Sequence, residues 1–159
     1  MTIIKVIEED FSNYKLPSMF IAMPYCTFKC DIENKCRCCQ NSGLAQAQII
    51  HAIPDQLILH YLDNPITSAI VFGGLEPFDS FDDVHQFIKL LRERYHCNDT
   101  IVIYTGYYRD EIEDKIEILK KFGNIICKFG RFVPGQEKHF DAVIGVDLAS
   151  DNQYAEQIC

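Results

Sequence analysis

Short apolar segments alternate with amphipathic helical patterns along the chain, and this alternation constrains the fold more than any other feature. The apolar segments are residues 19–24, 67–74, 100–106, 124–130 and 141–148. Each has the length and apolar content of a buried strand. Strands that alternate with helices predict an α/β fold with a mostly parallel sheet, open or partly closed.

Three helices are predicted between these strands. One begins at Pro54, one spans residues 79–95 and one spans residues 110–123, where Gly123 ends it. Residues 43–53 are compatible with a further short helix. The residues predicted to face inward are Leu57, Ile58, Tyr61, Val84, Phe87, Ile88, Leu91, Ile112, Ile116 and Leu119.

Length and charge set limits on the class of protein. The 159 residues fit a single domain over residues 1–159, and 48% of them are hydrophobic. The net charge of −8 argues against a nucleic-acid partner, because such proteins usually present a basic surface. The N-terminus lacks a signal-peptide pattern, and no apolar run is long enough to span a membrane. We therefore expect a cytoplasmic protein with no membrane partner.

A cysteine-rich loop, CTFKCDIENKCRCCQNS at residues 26–42, holds five of the eight cysteines. Disulfides are rare in the cytosol, and the adjacent Cys38 and Cys39 could pair with each other only with strain. A zinc site could use the pairs Cys26/Cys30 and Cys36/Cys39. An iron–sulfur cluster would also use thiolates. The spacing alone does not choose between zinc and a cluster.

A second motif, Gly-Gly-Leu-Glu-Pro at residues 73–77, follows the second predicted strand. Gly73 and Gly74 would let the backbone approach a ligand closely, and Glu76 could accept hydrogen bonds from an ammonium group. A plain strand-to-helix turn with a solvent-facing Glu76 is the simpler interpretation. Ligands of parallel α/β folds bind at the carboxyl ends of the strands. The cysteine loop, this motif and Thr105-Gly106-Tyr107-Tyr108 all fall at such ends, which suggests one shared site.

Together the two motifs resemble those of the radical S-adenosylmethionine (SAM) superfamily. Cys26 and Cys30 match its CxxxC pair, and Cys39 in Cys39-Gln40-Asn41 resembles its third cysteine. VFGGLEP matches its GGEP motif with Leu75 inserted. The order of further motifs narrows the resemblance to the activating proteins of anaerobic ribonucleotide reductases. Tyr104-Thr105-Gly106-Tyr107 is similar to their YTGY, residues 128–132 to their DGxF stretch and residues 149–153 to their SSNQ ending.

The chain departs from this family in three places. Six extra residues separate Cys30 from Cys39, so Cys36 or Cys38 is an alternative third ligand. Cys38 stands where the family usually has an aromatic residue beside the adenine. Lys128 stands where the family has an acidic residue.

The resemblance implies a partial, incomplete radical-SAM type (β/α) barrel with its cluster loop at residues 26–42. It implies a 4Fe–4S cluster on Cys26, Cys30 and Cys39. The SAM-binding residues that it implies are Cys38, Asn41, Gly73, Gly74, Glu76 and Thr105. The cluster would reductively cleave SAM to a 5′-deoxyadenosyl radical, with electrons from a flavodoxin-like or other one-electron donor. The radical would install a glycyl radical on the partner, the large subunit of an anaerobic ribonucleotide reductase.

Two other functions remain open at this point. One is a radical SAM reaction on a different substrate. The other is a zinc-stabilised binding module without catalytic activity.

Overall fold

A six-stranded sheet forms the centre of the structure, a computed structural model that describes residues 1–159. The strands are β1 (Thr2–Ile3), β2 (Lys5–Asp10), β3 (Ser18–Met23), β4 (Ile50–His51), β5 (Ala69–Gly74), β6 (Thr100–Tyr104), β7 (Ile125–Phe129), β8 (His139–Asp141), β9 (Val146–Leu148) and β10 (Tyr154–Gln157). The α-helices are α1 (Lys29–Asn34), α2 (Pro54–Asp63), α3 (Phe81–Lys89) and α4 (Glu113–Leu119). Short 3-10 turns lie at Ser42–Gln46, Pro77–Ser80 and Arg109–Glu111, and a π turn at Leu90–Arg94 extends α3.

The strand order in the main sheet is β10-β7-β6-β5-β3-β2. The four central strands β3, β5, β6 and β7 are parallel, and they lie side by side in the order in which they occur along the chain. The edge strands β2 and β10 are antiparallel to their neighbours. The predicted α/β class with a mostly parallel sheet is confirmed. The sheet is open, with no closed barrel, and its relation to the radical-SAM barrel stays a prediction.

Helices α2, α3 and α4 cover one face of this sheet. Their apolar residues pack with Met19, Ile21, Ile70, Phe72, Ile101, Ile103, Ile125, Cys127 and Phe129 of the strands in one core. All the residues predicted to face inward are buried except Leu57, which is half-buried against this core. Burial of this apolar surface is the main stabilising contribution to the fold. No helix has the length and apolar composition that a membrane crossing requires.

The opposite face of the sheet has a smaller core and leaves one end open. Alternate strand residues pack there against Tyr14 and the chain after β7; this core comprises Tyr14, Ala69, Val71, Val102, Ile126, Ile144, Leu148 and Ala155. Towards the carboxyl ends of the strands, the same face leaves a cavity that is lined by small residues, cysteines and polar side chains.

The predicted single strand at residues 141–148 is wrong, because the chain reverses direction within it. Asp141 Oδ1 accepts hydrogen bonds from the backbone N–H groups of Val143 (2.9 Å) and Ile144 (3.1 Å), and Gly145 takes a positive φ of 73°. This side-chain turn converts the segment into the β8–β9 hairpin. Edge strands β2 and β10 were not predicted.

Candidate functional site

A cavity of about 560 Å³ lies at the carboxyl edge of the parallel strands, on the face without helices. The ends of β3, β5, β6 and β7 all contribute to its wall, together with residues from β2 and from the segment that includes β9. Eight of the predicted site residues line it: Cys26, Cys30, Cys39, Asn41, Gly73, Gly74, Glu76 and Thr105. Cys38 is not part of the lining. The three motifs that the sequence placed at strand ends therefore meet at one cavity.

Asp31 folds the long cysteine loop so that Cys39 returns to the other two thiols. Cys26 follows β3 and Cys30 lies in the first turn of α1, while Lys35 with a positive φ of 53° ends that helix. One oxygen of Asp31, Oδ1, accepts hydrogen bonds from the backbone N–H groups of both Cys38 (2.9 Å) and Cys39 (2.8 Å). The extra residues between Cys30 and Cys39 thus form a closed excursion. Sequence analysis missed this role of Asp31.

Cys36 and Cys38 point away from the cavity. Cys36 is exposed, and the thiol of Cys38 donates to the carbonyl oxygen of Cys30 at 3.7 Å. Among the three candidates for a third ligand, only Cys39 shares the cavity with Cys26 and Cys30. The geometry favours Cys39 for this position, and the predicted contact of Cys38 with a cofactor stays a prediction.

Glu76 is buried at the cavity wall and joins two of the motifs. Its Oε1 accepts hydrogen bonds from the Phe78 backbone (3.0 Å) and the Thr105 hydroxyl (2.8 Å), and its Oε2 accepts one from the Gly106 backbone (2.8 Å). Burial raises the pKa of this carboxyl to about 7, although the three donors favour its charged form. A solvent-facing Glu76 is therefore wrong, since only 6% of the residue is exposed.

The paired glycines fit the close packing of β5 against β3, and Gly74 is the more constrained of the two because it meets backbone atoms. A Cβ on Gly73 would lie 2.9 Å from the ring of Phe20, and one on Gly74 would lie 2.9 Å from the Cα of Ala22. Gly74 also has a positive φ of 86°. Its carbonyl oxygen accepts a hydrogen bond from the Asn41 side chain at 2.8 Å, which fastens the cysteine loop to the end of β5.

Gly106 leaves space beside a cysteine and a carboxylate. A Cβ on Gly106 would lie 3.4 Å from the sulfur of Cys30 and 3.6 Å from Oε2 of Glu76. The thiol of Cys30 and the carboxylate of Glu76 thus both lie next to Gly106, just after the end of β6. A side chain there would occupy space next to a candidate ligand atom.

Lys128 places a buried amine on the cavity wall. It lies on β7, whose alternation turns Ile126 and Lys128 towards the face without helices. Its Nζ donates to the Gly130 carbonyl oxygen at 3.0 Å, and burial lowers the pKa of the amine to about 8. The sequence showed Lys128 only as a departure from a motif, with no sign that its side chain faces the site.

An ion-pair group holds the outer side of α1 to the loop after β6. The guanidinium of Arg131 contacts Glu33 (3.0 Å) and Glu111 (2.6 Å) and lies over the ring of Tyr108. Glu111 also pairs with Lys29 at 3.1 Å. The helix that carries Cys30 is therefore fixed on its outer side by charged contacts. We refer to Lys29, Glu33, Glu111 and Arg131 as the α1 clamp.

A family model described as a 4Fe-4S single cluster domain matches residues 20–145, which include the cysteine loop, the glycine motif, most of β3 and all of β5, β6 and β7. The chain belongs to the 4Fe-4S single cluster domain family. No curated protein and no solved structure matches the chain significantly. The family assignment supports binding of an iron–sulfur cluster and does not specify an activity.

The residues of this single-cluster domain fit a 4Fe–4S cluster held by three thiolates. Cys26, Cys30 and Cys39 line one cavity of about 560 Å³, and Cys39 is close enough to Cys26 and Cys30 to influence the pKa of both thiols. In a cluster each thiolate binds a different iron, so the thiols are spread around a larger body. The cavity wall beside them also offers polar groups for a ligand at the remaining iron.

Burial disfavours the thiolate form of all three thiols in the metal-free chain. Burial raises the pKa of Cys26 to about 12 and raises the pKa of Cys30 and Cys39 as well. The proximity of Cys39 raises the pKa of both Cys26 and Cys30 further, as expected for thiols that share one site. A cluster held by these three thiols would therefore have to displace their protons.

Proposed function

We propose that the chain is a radical SAM enzyme. The observation that supports this most directly is the shared cavity, where Cys26, Cys30 and Cys39 face Gly74, Glu76 and Thr105. Three thiolates leave one iron of a 4Fe–4S cluster free for an exogenous ligand. When bound, the cluster supplies the electron that reductively cleaves SAM to a 5′-deoxyadenosyl radical.

The polar groups beside the thiols suit the methionine part of SAM. Oε2 of Glu76 accepts one hydrogen bond, from Gly106, and so retains acceptor capacity towards an ammonium group. Asn41 and Thr105 fix the loops around Glu76 through the Gly74 carbonyl oxygen and the Glu76 carboxylate. We assign Glu76 to the ammonium group, and Asn41 and Thr105 to holding the shape of the cavity.

We further propose that the radical acts on a partner protein, the large subunit of an anaerobic ribonucleotide reductase, and installs a glycyl radical there. The support is the ordered resemblance described above: Tyr104, the last residue of β6, and Thr105 and Gly106, which follow it, line the cavity. The cavity is bounded on one side by the edge strand β2, through Lys5 and Ile7. A flavodoxin-like or other one-electron donor would supply the electron.

The first experiment is anaerobic reconstitution of the full chain with iron and sulfide, followed by reduction and electron paramagnetic resonance (EPR) spectroscopy with and without SAM. We expect a reduced 4Fe–4S signal that changes shape when SAM is added, together with formation of 5′-deoxyadenosine. Cys39→Ala should abolish the signal. Cys36→Ala, in the same loop but outside the cavity, is the matched control and should keep it.

Two outcomes would contradict the proposal at different levels. Tightly bound zinc and no cluster would support the zinc-stabilised binding module. A cluster whose signal ignores SAM would leave an iron–sulfur protein without radical SAM activity. The partner is tested separately by adding the reductase subunit: a glycyl-radical EPR signal supports it, whereas 5′-deoxyadenosine without a protein radical points to a different substrate.

A further inference from the structure

Lys128 differs from the other charged side chains around the cysteine loop, because it is buried and has no carboxylate partner. Only 6% of the residue is exposed, and its single hydrogen bond goes to the Gly130 carbonyl oxygen. Arg131, in contrast, is neutralised by Glu33 and Glu111. A buried cation without an ion-pair partner is costly, so a further negative charge in the cavity would stabilise it.

A cluster bound by the candidate ligand thiols would bring negative charge into the same cavity. Lys128 lines the same cavity as all three candidate ligand thiols. The side chains of Lys128 and Cys30 therefore face the same enclosed space, where charges interact more strongly than in bulk water. Glu76 lines the same cavity and also stabilises the charged amine electrostatically, but the two side chains form no ion pair.

We propose that Lys128 tunes the 4Fe–4S cluster, stabilising its reduced form and raising its midpoint potential. Reduction adds one electron from a one-electron donor to the cluster, with no proton required, and so adds one negative charge beside the lysine. The charge around a cluster and its burial are among the factors that set its potential. Lys128 is thus a positioning and electrostatic residue that need not touch the substrate.

The test is a redox titration of the reconstituted full chain, with dithionite as reductant and EPR detection, in the absence of SAM. Lys128→Met removes the charge and keeps much of the side-chain length. A unit charge roughly 12 Å away at an effective dielectric constant of about 20 changes an equilibrium about tenfold. For a one-electron couple this corresponds to a potential about 59 mV more negative. Lys128→Arg retains the charge and should stay close to wild type, as should the exposed control Lys121→Met.

An unchanged potential in Lys128→Met with a full complement of iron would overturn the proposal, as would an equal shift in Lys128→Arg. If Lys128→Met retains no cluster, Lys128→Gln is titrated instead. Loss of the cluster in both would assign the residue to the architecture of the cavity and also overturn the proposal. The inference rests on the cluster alone and not on SAM cleavage. A missing SAM effect on the EPR signal would therefore contradict the proposed function and leave Lys128 to be judged by the titration.

Discussion

The carboxylate of Glu76 accepts a hydrogen bond from the hydroxyl of Thr105 at 2.8 Å, and this contact connects the end of β5 to the end of β6. Both residues are buried, so neither can exchange its partner for bulk water. The two strand ends at the cavity therefore behave as one unit, and a change at either residue affects the geometry seen by a ligand.

Thr105→Val should reduce the free energy of unfolding by about 1–3 kcal/mol, because it leaves one acceptor position of a buried carboxylate without its donor. Urea unfolding of the metal-free chain measures this. Thr2→Val is the control, since its side chain has no hydrogen bond to Glu76. Equal stability of Thr105→Val and wild type would show that the contact contributes little.

Asp31→Ala should weaken cluster retention, because the backbone N–H groups of Cys38 and Cys39 lose their shared acceptor. We expect iron release to a chelator several-fold faster than in wild type. Asp31→Asn is the matched control, since its side-chain oxygen can still accept both hydrogen bonds. Equal release rates for Asp31→Ala and Asp31→Asn would contradict the role of this acceptor.

Gly106→Ala should leave the fold intact and impair the site. The added methyl group makes ordinary contacts at 3.4 Å with the Cys30 sulfur and 3.6 Å with Glu76, so the stability of the metal-free chain should change little. The methyl group nevertheless fills space beside a candidate ligand atom, and we expect lower iron content after reconstitution. Gly43→Ala, where a Cβ meets nothing within 4 Å, should reconstitute like wild type. Full iron content in Gly106→Ala would refute this prediction.

The α1 clamp should weaken in acid through Glu111. Burial alone would raise the pKa of Glu111, but hydrogen bonds from Arg131, the Tyr108 backbone and Lys29 lower it to about 2, from an ordinary value of 4.5. The unfolded chain binds the proton first as pH falls. The interactions of ionised Glu111 therefore contribute to the free energy of unfolding above about pH 4.5, and this contribution is lost as the pH falls from about 4.5 to about 2.

Glu111→Gln removes this titration. Urea unfolding at pH 6 and at pH 3.5 should show a smaller acid-induced loss of stability in Glu111→Gln than in wild type. Glu137→Gln, at an exposed position without a salt bridge, is the control and should resemble wild type. If wild type, Glu111→Gln and Glu137→Gln lose the same amount of stability between pH 6 and pH 3.5, the acid sensitivity comes from groups other than Glu111.

The parts of the fold that the sequence predicted are those with apolar residues on both faces. Strands β3, β5, β6 and β7 are buried in the sheet and appear as apolar runs. Strands β2 (KVIEED) and β10 (YAEQ) lie at the edges of the sheet, where polar residues are tolerated, and their sequences carry little strand signal. The hairpin at residues 139–148 was missed because one side chain, Asp141, reverses an otherwise apolar segment.

The site was predictable as far as its residue types are chemically distinctive. Cysteine spacing and paired glycines identified the three strand ends that meet at the cavity. Asp31 and Lys128 were not recognisable as site residues, because an acid in a polar loop and a lysine in a strand are common on any surface. Their importance depends on burial and on backbone partners, which only the three-dimensional arrangement provides.

The closed excursion between Cys30 and Cys39 also bears on how such sites change over time. Because one carboxylate fastens both ends of the excursion, residues between those ends can be added or removed while the third thiol keeps its place. The number of residues between two ligands then carries little information about the distance between them.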